Sequence, residues 1–286
     1  MTTFEAFAAR GRNSWWRYLL ATALALMIAA LIGTVIIVAL MLARRYPADL
    51  GVQLLHPTRP ATFFAAVGVM FGALLAGFVL SARLVQGKRF GDITGTWNWR
   101  LFAAAAGLWF TVQTVAALIG FLVHPHDFAL TASAATARFA LWAFVGLAVQ
   151  TFAEEFVFRG YLTQALLLAT RRPAPAAIIS GLTFGALHIP NGTPQAIWAT
   201  FFGVISAMIV IRTGGLAFTY GLHLANNLFA GIVVVSAGDV FRGIPGVVTQ
   251  STPQALGWDM AVGVVAMLGA LVLAGRISPR PSSAQR

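Results

Sequence analysis

Long apolar runs separated by short polar or basic stretches set the pattern of this chain. Tyr18–Ala43 carries no charge over about 26 positions. That is enough for a helix to cross a bilayer and too long for the apolar region of a cleaved signal. Further apolar runs follow at Ala61–Ala82, Leu101–Val123, Arg138–Thr170, Ala174–Ile189, Pro194–Ile211, Leu216–Val235 and Leu256–Ala274. The second contains Gly68 and Gly72, a small-residue spacing that lets helices approach closely. The fourth would be roughly 50 Å long as one straight helix, so it is expected to be tilted or broken near Gly160. Pro190-Asn191-Gly192 and Gly214-Gly215 punctuate the later runs. Continuous runs of this length, instead of alternating segments of about ten residues, exclude a membrane barrel. The expected fold is all-α: a polytopic membrane helix bundle of about eight transmembrane helices, forming a single integral membrane domain over residues 1–286.

Composition agrees. Of 286 residues, 59% are hydrophobic and only 9% charged, against about 25% charged in soluble domains. There is no cysteine, which removes disulfide and thiol chemistry. The net charge of +11 follows from basic loops, so no nucleic-acid partner is expected. About 13 of the 19 Lys and Arg fall on the side that eight crossings give to both termini. By the positive-inside rule that side is cytoplasmic, and the chain is expected in the cell membrane. Trp15, Trp16, Trp97 and Trp99 lie near helix ends, as interfacial anchors do.

One stretch breaks the apolar pattern from within. Thr151-Phe-Ala-Glu154-Glu155-Phe-Val-Phe-Arg159 places two glutamates in a membrane helix, where carboxylates are expensive and mark function. Glu155 and Arg159 stand four apart in the order that favours an ion pair, which leaves Glu154 free. Adjacent residues lie about 100° apart on a helix, so both glutamates can face inward but not toward one partner. Phe184 and His188 repeat the spacing of four, as do His223 and Asn227. Counted from their cytoplasmic ends, Glu154, His188, His223 and Asn227 lie about 24, 21, 10 and 16 Å deep, compatible with one shared cavity.

Glu154-Glu155-x-x-x-Arg159, Phe184-x-x-x-His188 and His223-x-x-x-Asn227, in that order, resemble the three motifs of the CPBP family. This is the type II CAAX prenyl endopeptidase or Abi family of intramembrane proteases. The resemblance spans residues 138–235, read as the catalytic core. It implies an endopeptidase acting on a membrane-associated peptide or protein. Glu154 would activate water, His188 would orient that water or share its proton, and His223 and Asn227 would bond the oxyanion. Glu155, Arg159 and Phe184 would support the site. The family is often labelled metalloprotease, so a divalent metal such as zinc, held by Glu154, His188 and His223, is an alternative. Asparagine suits an oxyanion better than zinc, which favours no cofactor. Asn226 is read as interhelical glue. The competing readings are a non-enzymatic scaffold or bacteriocin-immunity protein binding a peptide in the same cavity, and a transporter using Glu154 as a proton relay. No His-Glu-x-x-His or Gly-x-Ser-x-Gly motif is present.

Overall fold

The computed structural model describes residues 3–251 and 258–277. The expected start of the last helix at Leu256 and most of the basic tail lie outside the described residues. A short helix α1 (Thr3–Ala8) precedes α2 (Trp15–Leu42), α3 (Leu50–Leu55) and α4 (Pro60–Ser81). Then come α5 (Phe90–Thr94), α6 (Trp99–Val123), strand β1 (Phe128–Leu130), α7 (Ala134–Glu154) and α8 (Thr163–Thr170). The chain continues through α9 (Pro173–Ala186), α10 (Thr193–Thr213), α11 (Ala217–Leu228), strands β2 (Val234–Ser236) and β3 (Val248–Gln250), and α12 (Trp258–Ile277). Among the described residues, five helical stretches are long and apolar enough to cross a membrane, and two shorter apolar helices, Pro173–Ala186 and Met260–Arg276, accompany them.

The outer face is apolar, and a set of polar and charged side chains is buried within an apolar core. Leu19, Leu26, Met27, Leu31 and Val35 of α2, and Phe110, Val115, Leu118 and Phe121 of α6, are exposed. Glu154, Glu155, Arg159, Thr163, Gln164 and His223 are buried. A bilayer makes that arrangement favourable, since lipid solvates the outer face and the charges find partners inside.

Small residues set the distances between helices. A Cβ on Gly68 of α4 would lie 3.2 Å from the Cα of Gly146 on α7, and one on Gly72 would meet Val149 at 3.6 Å. The expected small-residue face therefore exists, and it holds the helix that carries the glutamates. A Cβ on Gly203 of α10 would lie 2.8 Å from the Cα of Gly181 on α9, so these two helices also pack backbone to backbone.

The expected break near Gly160 takes the form of a π-helical stretch, Glu155–Leu162, joining α7 to α8. The hydroxyls of Thr163 and Ser180 donate to the Phe158 carbonyl at 2.7 and 3.0 Å, supporting a backbone that wide turns hydrogen-bond less regularly. A Cβ at Gly160 would lie 2.8 Å from Ile93, so α5 fits over the stretch only because that side chain is missing.

Two expectations are corrected. The seventh run does not stay helical to Val235: α11 stops at Leu228, wide turns cover Phe229–Val233, and the chain enters a strand at Val234. The β-branched run Val233-Val234-Val235 favours that extension. β3 pairs antiparallel with β1 (Phe128 opposite Gln250) and parallel with β2 (Val234 opposite Val248), forming a small cover over one end of the bundle, the sheet end. Trp97, expected as an interfacial anchor, is half-buried against Trp99, Phe102, Phe152 and Tyr220, whereas Trp15, Trp16 and Trp99 are exposed.

The opposite, N-terminal end is not a plain loop. Lys88 is buried, and its ammonium donates to the Ala8 carbonyl at 2.8 Å and to Gln164 Oε1 at 3.1 Å. Gln164 Nε2 donates to the Asp92 carbonyl at 2.6 Å, and Arg10 pairs with the Asp92 carboxylate at 2.9 Å. Burial pushes the Lys88 ammonium down to about 8, partly opposed by Asp92.

Candidate active site

The first turns of the π-helical stretch bring both glutamates to one partner. His223 of α11 donates from Nδ1 to Glu155 Oε1 at 2.9 Å, and its Nε2 faces Glu154 Oε2 at 3.5 Å. The sequence reading excluded a shared partner. An imidazole has nitrogens on two edges, however, and one ring entering between adjacent carboxylates meets both.

Glu155 also holds Arg159, with Nε 3.4 Å from Oε1 and both side chains fully buried. The expected pair is present, with His223 as a third member. The Arg159 guanidinium lies 3.9 Å from the centroid of Phe184 and 5.6 Å from that of Phe202. Its nitrogens make no hydrogen bond among the described residues. Ring faces and one carboxylate therefore stabilise the cation. Phe184 also packs edge-on to His223, at 5.9 Å and 90°.

His188 sits just beyond the end of α9. Its Nδ1 is 2.8 Å from the Phe184 carbonyl, which can only accept, so Nδ1 carries the proton and Nε2 keeps its lone pair. The ring lies 4.5 Å from Phe184, on the edge of the group formed by Glu154, His223 and Arg159.

Asn227 ends a line of hydrogen bonds crossing three helices. Trp109 Nε1 of α6 donates to Asn226 Oδ1 at 3.1 Å, Asn226 Nδ2 to Asn227 Oδ1 at 3.3 Å, and Asn227 Nδ2 to Thr151 Oγ1 of α7 at 3.0 Å. Asn226 is thus the interhelical link the sequence suggested. Thr151, Trp109 and Gln150, which reaches Glu154 Oε1 at 3.4 Å, were given no role from sequence. For Thr151 and Gln150 the signal was present: each lies four residues before a glutamate and shares its helix face.

Among the described residues, no group of three His, Asp or Glu side chains is placed to hold a metal ion. His188 keeps Nε2 free, but His223 directs its two ring nitrogens at Glu155 and Glu154 and so has none left over for a metal held with them. The side chains present do not fit a closed three-ligand site.

The arrangement offers a carboxylate, Glu154, that forms no ion pair with a Lys or Arg among the described residues. It offers a histidine held by a second carboxylate, and an amide whose orientation is fixed through Thr151. A carboxylate beside hydrogen-bond donors in a water-poor interior is what activating water and stabilising a developing oxyanion require.

Comparison with known proteins bears on this arrangement. Residues 136–229 match the family model described as type II CAAX prenyl endopeptidase Rce1-like. Among curated proteins the chain is 30% identical over 201 residues to the uncharacterized protein YyaK of Bacillus subtilis, covering 65% of this chain and 67% of that one. No solved structure matches it significantly. The matched segment contains both glutamates, both histidines and Asn227, on the helices that the structure brings together, and the chain belongs to the Rce1-like family of type II CAAX prenyl endopeptidases.

Proposed function

We propose that the protein is an intramembrane endopeptidase that hydrolyses a peptide bond of a membrane-associated peptide or protein without a metal cofactor. The observation that carries this reading is His223 held between Glu154 and Glu155, with Asn227 one helical turn away and fixed by Thr151.

In this mechanism Glu154 accepts a proton from water as the water oxygen attacks the scissile carbonyl. His188, through its free Nε2, orients that water. The carbonyl oxygen becomes an oxyanion and accepts hydrogen bonds from Asn227 Nδ2 and from the His223 ring, which Glu155 orients through Nδ1. Glu154 returns the proton to the leaving amine as the C–N bond breaks. The basic N-terminal end faces the cytoplasm in the cell membrane under this reading, by the distribution of Lys and Arg.

The test is cleavage of a quenched, membrane-anchored peptide library by detergent-purified protein. Wild-type cleavage should persist in a strong chelator and fall by about 100-fold or more in Glu154→Gln, the scale expected for losing a general base. Equal cleavage by wild type and Glu154→Gln would overturn the role of Glu154. Loss in chelator with recovery on adding zinc would overturn the metal-free mechanism.

A further inference from the structure

A cavity of about 180 Å³ opens under the sheet end, and its lining is unusual for the interior of a membrane protein. Five amide side chains face it from separate parts of the fold: Gln113, Asn191, Gln195, Asn226 and Gln250. Among the described residues Asp239 is the one ionisable residue lining it, and it is more than nine-tenths buried. The Asp239 carboxylate accepts from the backbone N–H of Phe241 at 3.3 Å and pairs with no basic side chain among the described residues. Burial pushes it up to about 6. Asn226, at the edge of this cavity, donates to Asn227 of the site described above.

A buried carboxylate without a cation is costly, and an entering cation relieves that cost. Amides both donate and accept, so they suit main-chain N–H and C=O groups withdrawn from water. Space of this size holds about six waters or a side chain with a little adjoining main chain.

We propose that this cavity is a substrate subsite that takes a basic group of the peptide against Asp239, while the surrounding amides hold the adjoining main chain. The subsite rests on the protease reading for its position next to Asn227, but its binding chemistry does not. Two sources would supply the cation, a Lys or Arg side chain and a free amino terminus.

The test separates these and also separates binding from cleavage. The full chain carrying Glu154→Gln is titrated in detergent with fluorescent membrane-anchored peptides. One lysine is walked along a norleucine-containing sequence, and each peptide is made with a free and an acetylated amino terminus. One lysine position should tighten binding by tenfold or more over norleucine, and adding Asp239→Asn should erase that advantage. An advantage that instead follows the free amino terminus, and is erased by Asp239→Asn, identifies the terminus as the cation. Gln113→Leu, on α6 away from the Asp239 loop, should weaken all peptides alike and keep the preference. Without any change at Asp239, the advantage should shrink as the pH falls below about 6, because a protonated Asp239 no longer attracts a cation. Equal binding of every peptide, or a preference that survives in folded Asp239→Asn protein, would overturn the subsite. Lysine-dependent binding without wild-type cleavage would retain the subsite and sink the protease reading. Cleavage indifferent to lysine and to Asp239 would do the reverse.

Discussion

At the scale of single residues, the geometry of Asn227 depends on one hydroxyl. Its amide can present one N–H to a substrate because the other is used on Thr151 Oγ1 and its oxygen is used by Asn226. Thr151→Val keeps the shape and the burial but removes that acceptor. Under the proposed mechanism kcat should fall by about tenfold with KM little changed, because loosening an oxyanion donor affects the transition state more than the bound substrate. Thr151→Ser should recover most of the rate. An unchanged kcat in Thr151→Val would show that Asn227 does not act through this contact. The spacing of four between Glu155 and Arg159 made their pair legible in the sequence. The insertion of His223 between both glutamates was not, because it depends on where α11 crosses α7, and no local spacing encodes that. Thr151 was overlooked for a different reason: a threonine in a membrane helix usually bonds its own backbone, as Thr111 and Thr114 do here.

At the scale of elements, α7 is placed by contact with α4. A Cβ on Gly146 would overlap the Phe64 carbonyl, whereas one on Gly72 would make ordinary contact with Val149 at 3.6 Å. Gly146→Ala should therefore destabilise the protein by about 1–3 kcal/mol, the usual cost of overpacking, and should reduce activity by shifting the glutamates. Gly72→Ala should be nearly neutral in both respects. Thermal unfolding in detergent, read with the cleavage rate, checks the pair, and equal effects would contradict the packing described. The Gly68/Gly72 spacing announced a close helix contact, but its partner Gly146 lies far along the chain and shows no comparable spacing. The small sheet was illegible for a local reason. Val233-Val234-Val235 is as apolar as the helix before it, so hydropathy alone carries no signal for the change from helix to strand. The π-helical stretch was visible only through its consequence, an apolar run too long for one crossing.

At the scale of the whole molecule, the site lies between two differently built ends: a sheet over an amide-lined cavity, and a charged clamp. In the clamp, Lys88 ties α1 to α8 through Ala8 and Gln164, while Arg10 ties the same segment to Asp92. A lysine whose folded pKa is depressed to about 8, against about 10.4 in the unfolded chain, has a definite linkage sign. Between those two values the unfolded state binds more protons, so stability rises as pH increases from about 8 to about 10. Below about 8 both states are protonated, and the contribution stays at its lower level. The N-terminal segment should therefore resist trypsin at Arg10 and Arg12 better at pH 9.5 than at pH 7.5, after correction for the enzyme's own pH dependence. Lys88→Met provides the control. It removes the titrating group while keeping an unbranched side chain in the cavity, so the rise in protection between the two pH values should disappear. Equal pH dependence in wild type and Lys88→Met would show that this end is not held by a desolvated lysine, and that the Arg10–Asp92 pair anchors α1 without it.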